Sequence, residues 1–256
     1  MKLDANSLLN MKQLQPIAIL TAYTCPVARC LEKAGIPAIL VGDSVAMTEM
    51  GFSSTRQINM EHMVYHIGAV RRGAPNTHII GDMPFDSDCD IRSATQNARR
   101  LLHAGADSIK LEGSKYSIIS HLVENNMVVV GHTGLTPQTA EDFHKVGTTE
   151  QEAEQVYTEA LGIEKAGAFM LVLEHIPATL ASQITASVKI PTIGIGAGSD
   201  CDGQVLVIND AIGLGDKWPP FSKQYAHISP IIEQVARDFA TEVAQGTSTH
   251  PKTQHQ

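Results

Sequence analysis

A chain of 256 residues, 43% hydrophobic and 18% charged, is long enough to bury a substantial core, and none of its apolar runs approaches the roughly 20 residues of a membrane span. The formal net charge of -8, with no cluster of Lys or Arg, argues against a nucleic-acid groove. The first residues lack a signal-peptide core, and Cys25, Cys30, Cys89 and Cys201 show neither a CxxC pair nor disulfide-framework spacing, so the expectation is a cytoplasmic protein.

Short apolar runs predict strands at residues 17–23, 38–44, 78–84, 108–113, 127–132, 169–174, 192–196 and 204–208. Helical patterns fall between most of them, at 27–34, 60–72, 93–104, 115–124, 150–166 and 178–188, and a last helix is expected near 230–243. Gly35, Gly73, Gly105 and Gly167 stand where C-terminal helix caps belong. Eight strands alternating with helices predict a (β/α)8 TIM barrel. A doubly wound sheet would want a nucleotide loop after an early strand. The one glycine-rich loop, at residues 194–203, follows the seventh strand and lacks the GxGxxG spacing. Residues 1–245 are expected to form one domain with an N-terminal extension, and residues 246–256 a polar, disordered tail.

In such a barrel the active site gathers where the strands end. Those ends carry, in order, Thr21 and Tyr23, then Asp43 and Ser44, Asp82, Lys110 and Glu112, His132, Glu174 and the glycine loop. Each has a bland reading. Asp43 and Asp82 could be turn acids, Lys110 could pair with Glu112, His132 could be a satisfied core histidine and Glu174 a surface charge. Converging so many ionisable groups on one mouth costs several kcal/mol apiece unless they pair or bind a metal, which favours catalysis over structure. Asp43, Asp82 and Glu112 offer only oxygen ligands, a set suited to Mg2+ or Mn2+. A metal of that kind suits a 2-keto acid chelated through carboxylate and keto oxygen. Lys110 would neutralise its charge, and Glu174 would move a proton beside the carbonyl. Arg71 and Arg72, ending a helix, suit the helix dipole.

The segments TAYTCPVA, LVGDSVAM, YHIGAVRRGAPN, GDMPF, IKLEG, GHTGLTPQ, LVLEHIP and IPTIGIGAGSDCDGQVLV follow one another in an order that resembles the ketopantoate hydroxymethyltransferase family, over nearly the whole chain. The resemblance implies a barrel of the phosphoenolpyruvate/pyruvate superfamily in a large homo-oligomer, often a decamer. It implies Mg2+ on Asp43, Asp82 and Glu112, and a 2-keto acid against Asp43, Ser44, Asp82 and Lys110. His132 would line the pocket and Glu174 would be the proton acceptor. The implied reaction transfers a one-carbon unit from 5,10-methylenetetrahydrofolate to 3-methyl-2-oxobutanoate, giving 2-dehydropantoate. That substrate carries no phosphate, so the glycines of the 194–203 loop read as close backbone packing. The sequence departs from the family pattern at Thr24, Ala46 and Ser114, in the acidic run 86–90, at Asn209, and at 139–150, where a glycine-rich stretch is replaced. Two other readings stay open: enolisation or cleavage of another 2-keto acid without folate, and a binding or scaffold role.

Overall fold

The structure, a computed structural model, describes residues 3–140 and 143–247. Eight parallel strands close into a barrel in chain order: β1 (Ile17–Thr21), β2 (Ala38–Val41), β3 (His78–Asp82), β4 (Ser108–Lys110), β5 (Val129–Gly134), β6 (Met170–Glu174), β7 (Thr192–Ile195) and β8 (Gly203–Leu206), which pairs with β1. Both faces of β2 to β7 are covered, which is why they read as continuous apolar runs, whereas β1 and β8 alternate and expose Ala18 and Gln204. Ile17, Ile19, Ala38, Leu40, Ile80, Val130, Met170, Val172, Ile193 and Val205 fill the interior. The residues between them, such as Ile39, Ile79 and Leu171, are buried on the other face of the same strands.

The outer helices are α2 (Cys25–Lys33), α4 (Met60–Gly73), α5 (Ile91–Ala104), α6 (Tyr116–Glu124), α7 (Glu150–Lys165) and α8 (Ala178–Ser187). Capping boxes start α4 (Asn59 with His62) and α7 (Thr149 with Glu152). Gly35, Gly105 and Gly167 have φ of 77°, 121° and 101°, the left-handed geometry of C-terminal caps. Gly73 corrects the expectation. It is the last residue of α4, and a Cβ there would lie 2.2 Å from the Cys25 carbonyl oxygen, so the glycine serves close packing of α4 on α2. Arg71 hydrogen-bonds the carbonyls of Gly105, Ala74, Pro75 and Thr77 and pairs with Asp107, a structural staple between α4 and the approach to β4.

Three short elements escape the periodicity argument. α1 (Ala5–Leu9), capped by Asp4, inserts Leu8 into the interior cluster. α3 (Val45–Thr48) follows β2, and a 3-10 turn (Thr55–Gln57) precedes α4. No helix joins β7 to β8. Residues 196–202 make the return, with Gly198 at φ 87°. A Cβ on Gly198 would lie 2.5 Å from that of Ala178, and one on Gly194 would lie 3.0 Å from Cys201 Sγ, so this loop is built for close packing.

The chain divides into two compact units, residues to Ile208 and residues from Asn209. The second contains most of α9 (Ile208–Ile212) and all of α10 (Ile228–Ala244), which buries none of its residues and exposes Ile231, Ile232, Val235, Phe239 and Val243. Most of the expected polar tail, residues 248–256, lies outside the described residues. Among the described residues no helix is long and apolar enough to cross a membrane.

Asp202, just before β8, fastens the N-terminal segment. Its carboxylate accepts from Lys12 Nζ at 2.7 Å, from the Thr192 N–H at 2.9 Å and from the Gln13 N–H at 3.2 Å. Burial alone would raise this carboxyl, but the Lys12 ammonium and the Thr192 donors outweigh it and hold it below the usual carboxylate range. Its stabilisation is therefore present above that range and lost as pH falls through the depressed value. Asp202→Asn should cost about 3 kcal/mol at pH 7, and urea unfolding should show the gap to wild type closing below pH 4.

Candidate active site

Strand register sets the site. Asp82 is the Cα partner of Lys110, and both side chains point into the barrel mouth. Lys110 Nζ donates to both Asp82 oxygens, at 2.8 and 2.9 Å. The expected bland partner of Lys110, Glu112, is instead held elsewhere. Its Oε2 lies 3.3 Å from His132 Nδ1, while His132 Nε2 lies 3.2 Å from Glu174 Oε2. The imidazole thus bridges two carboxylates.

Asp43 lies two residues beyond β2, where the chain turns into α3, and its N–H donates to Asp82 Oδ2 at 3.3 Å. Ser44 starts that turn with its Oγ 2.8 Å from the Tyr23 hydroxyl. A Cβ on Gly42 would lie 2.9 Å from the Ser44 Oγ and would press that hydroxyl away from Tyr23. Ala46 occupies an ordinary buried helical position in α3. After Glu174, His175 adopts φ 48°, an uncommon conformation for a side-chain-bearing residue and one found at functional sites.

The electrostatics follow from burial. Asp43, Asp82, Lys110, Glu112 and His132 are all buried. Burial and the neighbouring Asp82 push the Asp43 carboxyl up to about 8, against the pull of Lys110 and Gln138. Burial raises Asp82 as well, Lys110 notwithstanding. Glu112 goes the other way, because His132, Lys110 and the Gln138 N–H outweigh its desolvation. Burial and Lys110 would lower His132, but Glu112 and Glu174 raise it to about 9, so it is an imidazolium at neutral pH. Desolvation would lower Lys110, yet the surrounding carboxylates raise it.

Four carboxyl groups therefore share two cationic partners at one mouth, and the raised Asp43 and Asp82 show that negative charge there is not fully compensated. That surplus of buried negative charge fits a hard divalent ion. Among the described residues no group of three or more His, Cys, Asp and Glu side chains is gathered to hold a metal ion; the carboxyl groups are drawn instead to Lys110, His132 and Gln138. The donor set suits an ion such as Mg2+ that keeps several waters.

One residue of the mouth escapes a reading by charge alone. Gln138, in the GLTPQ segment, donates its N–H to Glu112 Oε1 and its side-chain amide to Asp43 Oδ2, each at 2.8 Å. Its only signal in the sequence is a polar residue after a proline in a turn that follows a strand. The acidic run 86–90 is local structure: Asp86 takes a left-handed turn at φ 63°, Asp88 is buried against Lys115, and Asp90 caps α5. Beside Glu112 opens a cleft of about 680 Å³ lined by Lys115, Thr136, His144, Glu152, Gln155 and Glu159 among others.

The sequence profile described as ketopantoate hydroxymethyltransferase matches residues 2–252. Curated relatives named 3-methyl-2-oxobutanoate hydroxymethyltransferase include one from Desulfotalea psychrophila, 45% identical over 94% of this chain and 88% of its own. Another, from Syntrophotalea carbinolica, is 46% identical over 93% and 92%, and one from Caldivirga maquilingensis is 40% identical over 98% and 97%. The fold is similar to 2,3-dimethylmalate lyase, a member of the PEP mutase/isocitrate lyase superfamily (TM-score 0.64, 14% identity, 100% of this chain and 93% of that one). It is also similar to phosphonopyruvate hydrolase solved in complex with oxalate and Mg++ (TM-score 0.65, 13% identity, 99% and 92%).

Lys110 carries the charge balance of the mouth. Lys110→Met should cost about 3–5 kcal/mol in metal-free buffer at pH 8. Without the ammonium, Asp43 and Asp82 rise further above their unfolded values, so the deficit grows as pH climbs. Urea unfolding at pH 5 and pH 8 should therefore give the larger loss at pH 8.

Proposed function

Given that the chain belongs to the ketopantoate hydroxymethyltransferase family, we propose that it takes its one-carbon unit from 5,10-methylenetetrahydrofolate and works with Mg2+ at Asp43, Asp82 and Glu112. It is a 3-methyl-2-oxobutanoate hydroxymethyltransferase of pantothenate biosynthesis, as its relatives at 45–46% identity are. The observation that carries the proposed chemistry is the set of three buried carboxylates tied to Lys110, His132 and Gln138, with Glu174 at the same mouth.

When bound, the ion supplies Lewis-acid polarisation of the 2-keto group. That phosphonopyruvate hydrolase binds oxalate, a small chelating dianion, together with Mg++ on this fold supports the assignment. Lys110 and Ser44 hold the substrate carboxylate and keto oxygen. Glu174, partly exposed on its free side, accepts the C3 proton as the C3–H electron pair moves into the enolate. His132, charged and wedged between Glu112 and Glu174, fixes the base and offsets negative charge beside the enolate. The enolate carbon attacks the folate methylene as one of that carbon's two carbon–nitrogen bonds breaks; water then displaces the second nitrogen and supplies the hydroxyl oxygen, and the C3 proton and one water proton end on the two freed folate nitrogens. The cleft beside Glu112 is of a size for a heterocyclic cosubstrate and supports entry of the folate from that side. The exposed apolar face of α10 supports self-association into the homo-oligomer, a decamer by family resemblance; the location we propose is the cytoplasm.

Incubation with both substrates should yield 2-dehydropantoate, read by mass spectrometry. Consumption of the keto acid without any need for folate would instead favour the lyase-like reading. Glu174→Gln should lower kcat at least 100-fold while changing keto-acid Kd less than about threefold. An equal loss in binding would reduce Glu174 to a positional role.

A further inference from the structure

We infer that Gln138 is a positioning residue that couples docking of residues 135–140, which follow β5, to the setting of the metal-site carboxylates. The inference rests on the proposed cation site and assigns a role to a residue that neither ligates nor titrates. Gln138 is 3% exposed and touches the ends of three strands at once. Its N–H reaches Glu112 beyond β4. Its side-chain Nε2 donates to Asp43 Oδ2 beyond β2 and to the Met83 carbonyl beyond β3, each at 2.8 Å. Both partners of that nitrogen are acceptors, so the amide orientation is fixed by its surroundings. Both of its hydrogens are used. A carboxylate of the same shape would set a like charge against Asp43, and asparagine is one methylene short.

The loop is held down from the other side. Arg56, in the 3-10 turn before α4, donates to the Gln138 carbonyl at 2.6 Å and to the Ala140 carbonyl at 3.2 Å. Its guanidinium lies over the Phe85 ring, 5.3 Å from the centroid. At the start of the loop, the Leu135 N–H donates to the Glu174 carbonyl at 2.8 Å. Lifting residues 135–140 would thus free Asp43 and Glu112 together. Conversely, anything that fixes those two carboxylates in their docked positions favours the docked loop, because linkage is reciprocal.

Gln138→Met keeps the length of the side chain and the backbone N–H but removes both side-chain donors. Electron paramagnetic resonance titration with Mn2+ should show affinity falling 10- to 100-fold, the range for lost outer contacts to metal ligands, with the melting temperature little changed. Arg56→Ala touches no carboxylate, yet it should weaken Mn2+ binding and speed amide hydrogen exchange at residues 135–140. In wild type, Mn2+ should slow that exchange. Mn2+ affinity within twofold of wild type in Gln138→Met, or unchanged affinity in Arg56→Ala, overturns the coupling while leaving the metal site standing. A wild-type chain that binds no Mn2+ overturns the metal site and the coupling with it.

Discussion

The mouth of this barrel depends on keeping surplus negative charge in a dry place. Asp43, Asp82 and Glu112 are nearly removed from solvent, and Glu174 stands beside them. Unpaired, such groups would cost several kcal/mol each or take up protons. The structure answers with Lys110 bidentate on Asp82, an imidazolium shared by Glu112 and Glu174, and the Gln138 amide on Asp43. The compensation is incomplete, and Asp43 keeps a carboxyl raised to about 8. An incompletely neutralised acidic pocket of this kind is what the proposed divalent ion would complete, with Glu174 as the proposed base beside it.

The fold makes this possible by register. Parallel pairing puts Asp82 beside Lys110, and interior alternation brings Lys110, His132 and Glu174 to the inner face of the barrel above an apolar plug. Below, Leu8 and the Asp202–Lys12 pair close the opposite end. The segment 139–150, which departs from the family pattern, is stitched at its end to β6 through the Val146 N–H and the His175 carbonyl. Thr139, Ala140, His144 and Val146 of this segment line the cleft beside Glu112.

Much of this was legible in the chain because buried parallel strands are written as apolar runs, and a charged residue at their ends is conspicuous. Asp43, Asp82, Lys110, Glu112, His132 and Glu174 stand out on that ground, and the structure brings them together. Strand limits were less legible. Residues 42–44 continue the run but leave the ladder at Val41, since Asp43 and Ser44 turn into α3. The ladder of β4 likewise stops at Lys110 although Glu112 still faces the mouth. α1 is too short to show a period, and its role rests on one leucine. Gly73 looked like a cap because the sequence carries no sign of the Cys25 carbonyl beneath it. Gln138 was illegible for a deeper reason: it is neutral, and its importance comes from partners 26 and 95 residues away.

The central claim is that this mouth enolises a 2-keto acid at Glu174, and it can be tested without the folate. Proton NMR of 3-methyl-2-oxobutanoate in D2O with the Mg2+-loaded protein should show the C3 proton signal decaying through exchange, and no decay above background with Glu174→Gln. A wild-type protein that binds the keto acid and Mg2+ yet leaves the C3 proton in place would contradict the account.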